Sequence, residues 1–130
     1  MDRLVYQDGS DFQAGTVNLD LEFTATTAGA VPTSLTRSDG IASVVKSTND
    51  YVVTFQDSYI ALLGGYGTVI QASFATTGAA RVQYSAQAVT SATAPSVTLS
   101  LYRGSDGAAV ALASGDILRF TFRLTRWNTY

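Results

Sequence analysis

Asp20 and Glu22 are the residues whose type and spacing come closest to a catalytic pair. They lie in a stretch where Val17, Leu19, Leu21 and Phe23 alternate with Asn18, Asp20, Glu22 and Thr24. On an extended strand both carboxylates project from one face, about 7 Å apart. That separation suits two acids flanking a glycosidic bond. Their setting does not, because the face is polar and no aromatic platform accompanies it in sequence. The remaining acids are all Asp. Asp39, Asp50, Asp106 and Asp116 fall in turn sequences, where side-chain hydrogen bonds to the local backbone account for them. Asp8-Gly9-Ser10-Asp11 places two acids at loop spacing but lacks the longer acidic pattern of a calcium loop. The chain has no His and no Cys, and Lys46 is its single lysine. The commonest general base, the commonest metal ligand and any thiolate site are therefore excluded. No Gly-x-Ser-x-Gly elbow occurs, and Gly64-Gly65-Tyr66-Gly67 is not followed by the Lys-Ser/Thr of a phosphate loop. The expectation is a protein that is not an enzyme, with no catalytic, cofactor-binding or metal-binding residue and no cofactor.

Composition turns attention from chemistry to association. Only 14% of the 130 residues are charged, against about 25% in ordinary soluble domains. A surface of Ala, Thr, Ser, Gly and Gln is poorly protected against association, so much of it is expected to be covered by other subunits. Net charge is −2, with the arginines dispersed along the chain rather than clustered. Nucleic acid is therefore not an expected partner. No stretch approaches the roughly 18 consecutive apolar residues of a membrane span, and Met1-Asp2-Arg3-Leu4-Val5-Tyr6 lacks a signal-peptide core. No membrane partner is expected. Exposed aromatics near turns or ends, Tyr66, Tyr102, Trp127 and Tyr130, suit either sugar stacking or protein contact, and the sequence leaves both uses open.

The elements that must carry these residues are strands. Beyond residues 17–24, period-two alternation places Tyr51, Val53 and Phe55 on one face, then Ile70, Ala72 and Phe74, then Val82, Tyr84, Ala86 and Ala88. Val97, Leu99 and Leu101 follow, and last Leu118, Phe120, Phe122 and Leu124, which leave Arg119, Thr121 and Arg123 opposite. Residues 41–46 and 108–112 are weaker strand candidates. Asp39-Gly40, Asn49-Asp50, Thr76-Thr77-Gly78, Asp106-Gly107 and Ser114-Gly115-Asp116 supply turns. Pro32 and Pro95 precede strands, where a missing N–H does least harm. Asp57 to Leu63, opened by a capping Asp and closed by Gly64-Gly65, predicts one short connecting helix. Short, evenly spaced strands indicate a β-sandwich or barrel; the expectation adopted is an all-β antiparallel β-sandwich, jelly-roll-like in one version. Residues 1–15 read as an N-terminal arm bearing an apolar patch, Leu4, Val5 and Tyr6, able to pair with a sheet edge; residues 16–130 read as the sandwich domain.

The second half of the chain also resembles a family of small virion structural proteins of tailed bacteriophages. The likeness lies in Asp50 to Phe55, Tyr59 to Leu63, Val97 to Tyr102 and Ala108 to Phe122, and it covers roughly residues 50 to 125. The Leu112-Ala113-Ser114-Gly115-Asp116 turn feeding the final strand also looks like the end of trimeric jelly-roll modules of the tumour-necrosis-factor and complement-C1q type. The resemblance implies a capsid decoration, or cement, protein of the phage head. Such a protein is made in the host cytoplasm, partners the major capsid protein or other virion proteins, and stabilises the shell. By the same analogy it is a homo-oligomer, a trimer before other states. The alternative is a tail or fibre module that binds a receptor or carbohydrate. The candidate interface residues are Leu4, Val5, Tyr6, Arg119, Arg123, Trp127 and Tyr130.

Overall fold

Ile117–Thr125, the strongest alternating run in the chain, becomes the central strand of a sheet, with a neighbour hydrogen-bonded along each edge. The computed structural model describes residues 15–72 and 80–126. Among them are seven strands: β1 (Thr16–Thr24), β2 (Ile41–Ser47), β3 (Asp50–Phe55), β4 (Ala61–Ile70), β5 (Ala80–Ala88), β6 (Ser96–Arg103) and β7 (Ile117–Thr125). Sheet A has the order β1-β7-β4 and sheet B the order β2-β3-β6-β5, with every pairing antiparallel. The two sheets pack as an all-β sandwich around one apolar core. β1 with β7, and β3 with β6, are successive pairs of one folded ribbon; β4 then adds to β7 and β5 to β6. This is jelly-roll winding, closed by a β5–β6 hairpin where the eight-stranded form carries two more strands.

Register follows from burial. Leu19, Leu21 and Phe23 face Phe122, Phe120 and Leu118 across the β1–β7 pair, all inward. From sheet B come Tyr51, Val53, Phe55, Val97, Leu99 and Leu101, none more than 2% exposed. Aromatic edges lock the layers together: Phe55 meets Phe122 edge-on with centroids 5.2 Å apart, and Phe23 meets Tyr51 at 5.4 Å. β4 contributes little bulk of its own. Gly65 and Gly67 lie opposite Phe122 and Phe120, and a Cβ at either would come within 2.5 Å of the Phe120 ring. Glycine is required there because that ring lies against the β4 backbone.

This packing corrects the helix expected over Asp57 to Leu63. Residues from Ala61 onward are the start of β4, and the only helical turn among the described residues is a 3-10 turn at Thr27–Gly29. Gly64-Gly65 is not a helix stop. It belongs to a strand that β7 needs on its second edge, entered through Ile60, whose N–H donates to the Thr125 carbonyl at 2.7 Å. A bulge between Leu62 and Gly64 shifts the parity. Val69 therefore turns inward and Ile70 is 44% exposed, the reverse of the expected faces. β5 also departs from expectation. Val82 is buried, but a bulge between Tyr84 and Ala86 breaks the alternation, and Tyr84, Ala86 and Ala88 are exposed. β5 is an edge strand of sheet B; its first residues, Ala80 to Val82, lie beside Gly67 to Val69 of β4, and the exposed stretch begins after them. Residues 108–112 make only a bridge, Ala109 to Tyr102, while Val110 and Leu112 plug the core. The arm residues Leu4, Val5 and Tyr6, the Asp8–Asp11 loop, Phe74, the Thr76–Gly78 turn, Trp127 and Tyr130 lie outside the described residues.

Two buried polar groups tie the loops to this core. Asp116 accepts the N–H of Ala72 at 2.9 Å on Oδ1 and that of Ala113 at 2.9 Å on Oδ2. Its own carbonyl accepts from Ala25 at 2.8 Å, so one residue joins the ends of β1, β4 and β7. Tyr51 donates its hydroxyl to the Gly29 carbonyl at 2.6 Å. Burial, and secondarily the Asp116 carboxylate, push the Tyr51 pKa up to about 12.

Burying each phenylalanine stabilises by roughly 2–3 kcal/mol. Phe120→Ala or Phe122→Ala is expected to cost about 3–5 kcal/mol once the cavity is included, read from denaturant melts; a loss below about 1 kcal/mol would refute the core assignment. The folded state favours the neutral Tyr51 phenol, so the stability from this group is intact below its ordinary pKa of 10 and is lost as pH rises through about 12. Tyr51→Phe should remove that part of the alkaline loss of stability, seen as a shallower fall of the urea midpoint across this window than in the parent protein.

Candidate functional site

The outer face of sheet A gathers Asp20, Glu22, Tyr66, Arg119 and Arg123 from among the side chains that the sequence singled out. The same register that buries the β7 phenylalanines sends Arg119, Thr121 and Arg123 outward. β1 sets Glu22, Asp20 and Asn18 directly opposite them, and β4 sets Thr68, Tyr66 and Gly64 on the other side. Asp20 and Glu22 do share a face, as their spacing implies. Neither carboxylate is free. Asp20 Oδ1 accepts the Thr121 hydroxyl at 2.8 Å. Glu22 Oε1 accepts Arg119 Nε at 3.0 Å, and Arg37 Nε approaches the same oxygen at 3.5 Å. The Glu22 side chain is only 13% exposed, because the chain after β1 folds back over it. Thr36 and Arg37 donate their N–H groups to the Glu22 carbonyl, and Glu22 donates its own to the Arg37 carbonyl.

A shallow depression of about 280 Å³ lies over Asp20, Glu22, Arg37, Arg119 and Thr121. Its polar groups neutralise one another. Such exposed pairs contribute about 0–1 kcal/mol each, and their main effect is to fix side-chain positions on the face. A second depression, about 390 Å³, lies further along β7, bounded by Asn18, Leu63, Gly64, Tyr66, Thr121 and Arg123. Its character differs. Tyr66 is 75% exposed and Leu63 50% exposed, an aromatic and an aliphatic side chain standing out from a sheet face. Arg123 Nε is shut off from solvent with no hydrogen-bond partner. No cluster of three or more potential metal-ligating groups occurs among the described residues. No helix among them is long and apolar enough to cross a membrane.

Of the candidate interface residues, Arg119 and Arg123 thus stand on one face, four residues apart on one strand. The sequence reading placed Tyr66 near a turn; it sits inside β4, flanked by Gly65 and Gly67. It passed over Leu63, assigned to a helix, and Arg37, which reaches Glu22 from a loop. The signal for Tyr66 was present in the alternation of Gly65, Gly67 and Val69 with Tyr66, Thr68 and Ile70. Inward glycines carry no hydrophobic signal, so the period was masked. Tyr102, the other aromatic considered for sugar stacking, is half-buried at the end of β6.

Comparison of the chain with protein-family models, curated proteins and solved structures finds no match.

Arg119 and Arg123 are on the wet face, so replacing both with Ser should leave the fold intact, with a stability change within about 1 kcal/mol. Far-ultraviolet circular dichroism and urea melts test this. A pair of Arg changes that unfolds the domain would mean that β7 presents its other face to the core.

Proposed function

We propose that this chain is a non-catalytic virion structural protein, a capsid decoration module that docks on the shell through the outer face of sheet A and reinforces it. The observation that carries the docking surface is Tyr66, three-quarters exposed beside Leu63 and Arg123 on a face whose other charges are internally paired. Tyr and Arg are the side chains most enriched where protein interfaces concentrate their binding energy. A sheet face offers them on a rigid support, so little ordering entropy is lost on docking. The assignment to a phage shell rests on the sequence likeness in residues 50 to 125, and the trimeric state belongs to the same analogy. Reinforcement then follows by mass action: a subunit that binds only the assembled lattice stabilises it.

The non-catalytic reading is supported by Asp20 and Glu22, whose carboxylates are committed to Thr121, Arg119 and Arg37. A second reading, a carbohydrate-binding tail module, draws on the same Tyr66 ring with Asn18 and Thr121 beside it.

Co-sedimentation with shells of the major capsid protein tests the first reading. Tyr66→Ala combined with Leu63→Ser should lower occupancy by about tenfold or more, the size expected when an interface anchor is truncated. Both side chains are exposed, so folding should be unaffected. Wild-type occupancy by this variant would refute docking through sheet A. Binding to a glycan panel that depends on Tyr66, with no binding to shells, would establish the second reading instead.

A further inference from the structure

Arginines are the residues to compare across the described chain, because each guanidinium needs acceptors for five N–H donors. Arg119 and Arg37 share Glu22, Arg126 pairs with Asp57 at 3.0 Å, and Arg103, whose buried Nε also lacks a hydrogen bond, still has the Asp106 carboxylate 3.3 Å away. Arg81 is exposed to water. Arg123 has neither arrangement. It is half-buried between Asn18 on β1 and Gly64 on β4, its Nε is closed off from solvent, and it meets no acceptor among the described residues. The carboxylate two residues along β1, Asp20, is engaged by Thr121. Arg123 thus lines a depression of about 390 Å³ while its buried Nε has no acceptor. The space beside Gly64 is open, since a Cβ there would meet nothing within 4 Å.

We propose that the Arg123 depression is a receptor for one carboxylate, supplied by an acidic side chain of the protein on which sheet A docks. The inference rests on the docking reading above and names what that partner must present. A carboxylate matches the guanidinium fork with two parallel hydrogen bonds. A phosphate dianion fits less well, because one cation faces it while Asp20 and Glu22 stand on the same face. The rim decides between a protein and a sugar as the carrier. Leu63 is aliphatic, and with Tyr66 it forms an apolar collar that excludes water from the ion pair, as anchors at protein interfaces do. Charge complementarity thus places an Asp or Glu of the partner at Arg123, surrounded by apolar partner atoms over Leu63 and Tyr66.

The test has two arms on the full chain. In the first, nuclear magnetic resonance follows the Gly64 and Gly65 amides and the Arg123 Nε–H during titration with acetyl-Gly-Glu-Gly-amide. The Gln counterpart peptide, glucuronate and inorganic phosphate serve as comparison probes. Saturable shifts with the Glu peptide, absent with the Gln peptide and abolished in Arg123→Gln, are expected. In the second, Arg123→Gln and Arg123→Lys are co-sedimented with shells. Both should lose about tenfold or more in occupancy, because an ammonium cannot reproduce the fork. If Tyr66→Ala abolishes docking while Arg123→Gln docks normally, sheet A is the docking face and the carboxylate receptor is wrong. If neither change affects docking but the Glu peptide still saturates Arg123, the receptor stands and the docking reading fails. No shift with any carboxylate overturns the inference. Tighter binding of glucuronate or phosphate than of the Glu peptide overturns the choice of an acidic side chain as occupant.

Discussion

The sandwich depends on β7 being buried on one face and paired along both edges. Leu118, Phe120, Phe122 and Leu124 are each at most 2% exposed. A strand has period two, so four inward residues leave the intervening side chains no choice of direction. The pairing with β1 then sets Glu22 opposite Arg119 and Asn18 opposite Arg123, and the pairing with β4 sets Tyr66 opposite Thr121. The chemistry of the outer face is thus dictated by the packing of the inner one. A slip of one residue in β7 would bury two arginines and expose two phenylalanines. A buried, unpaired guanidinium costs several kcal/mol, so the register is strongly determined.

The parts of the fold legible in the sequence were those with a clean alternation on bulky side chains. β1, β3, β6 and β7 have the inward faces that their patterns predict, and Asp116 sits in the turn assigned to it. What the pattern could not show is that Asp116 reaches back to the Ala72 N–H, a contact 44 positions away in the chain. The elements misread were those where the period is carried by residues with no hydrophobic signal. β4 fills its inward positions with glycine because Phe120 takes the space, and Gly64-Gly65 then imitates a helix stop. β5 looked half-buried because Tyr84 and two alanines follow Val82. Burial also requires a partner layer, and from the bulge at Tyr84 onward none covers these side chains.

The candidate site divides along the same line. That Arg119 and Arg123 share a wet face, and that Asp20 and Glu22 share one too, is a statement about parity and was readable. That these are a single face, with Glu22 claimed by two arginines and Arg123 by none, depends on which strands are neighbours. Strand adjacency comes from long-range pairing that a single sequence does not specify. Leu4, Val5, Tyr6, Trp127 and Tyr130, the other candidate interface residues, lie beyond the described region.

The exposed side chains along β5 make stability uneven across the molecule. Every side chain from Gln83 to Ala88 is exposed, so detaching this part of the strand from β6 exposes little apolar area. Opening there costs far less than separating the sheets, and β2, β3 and β6 keep their own core contacts meanwhile. The sandwich therefore has a cheap, local route to partial unfolding along one margin, well away from β7 at the centre of the other sheet. Backbone amides of β5 would exchange with solvent through that opening, while those of β7 would wait for the whole domain to unfold.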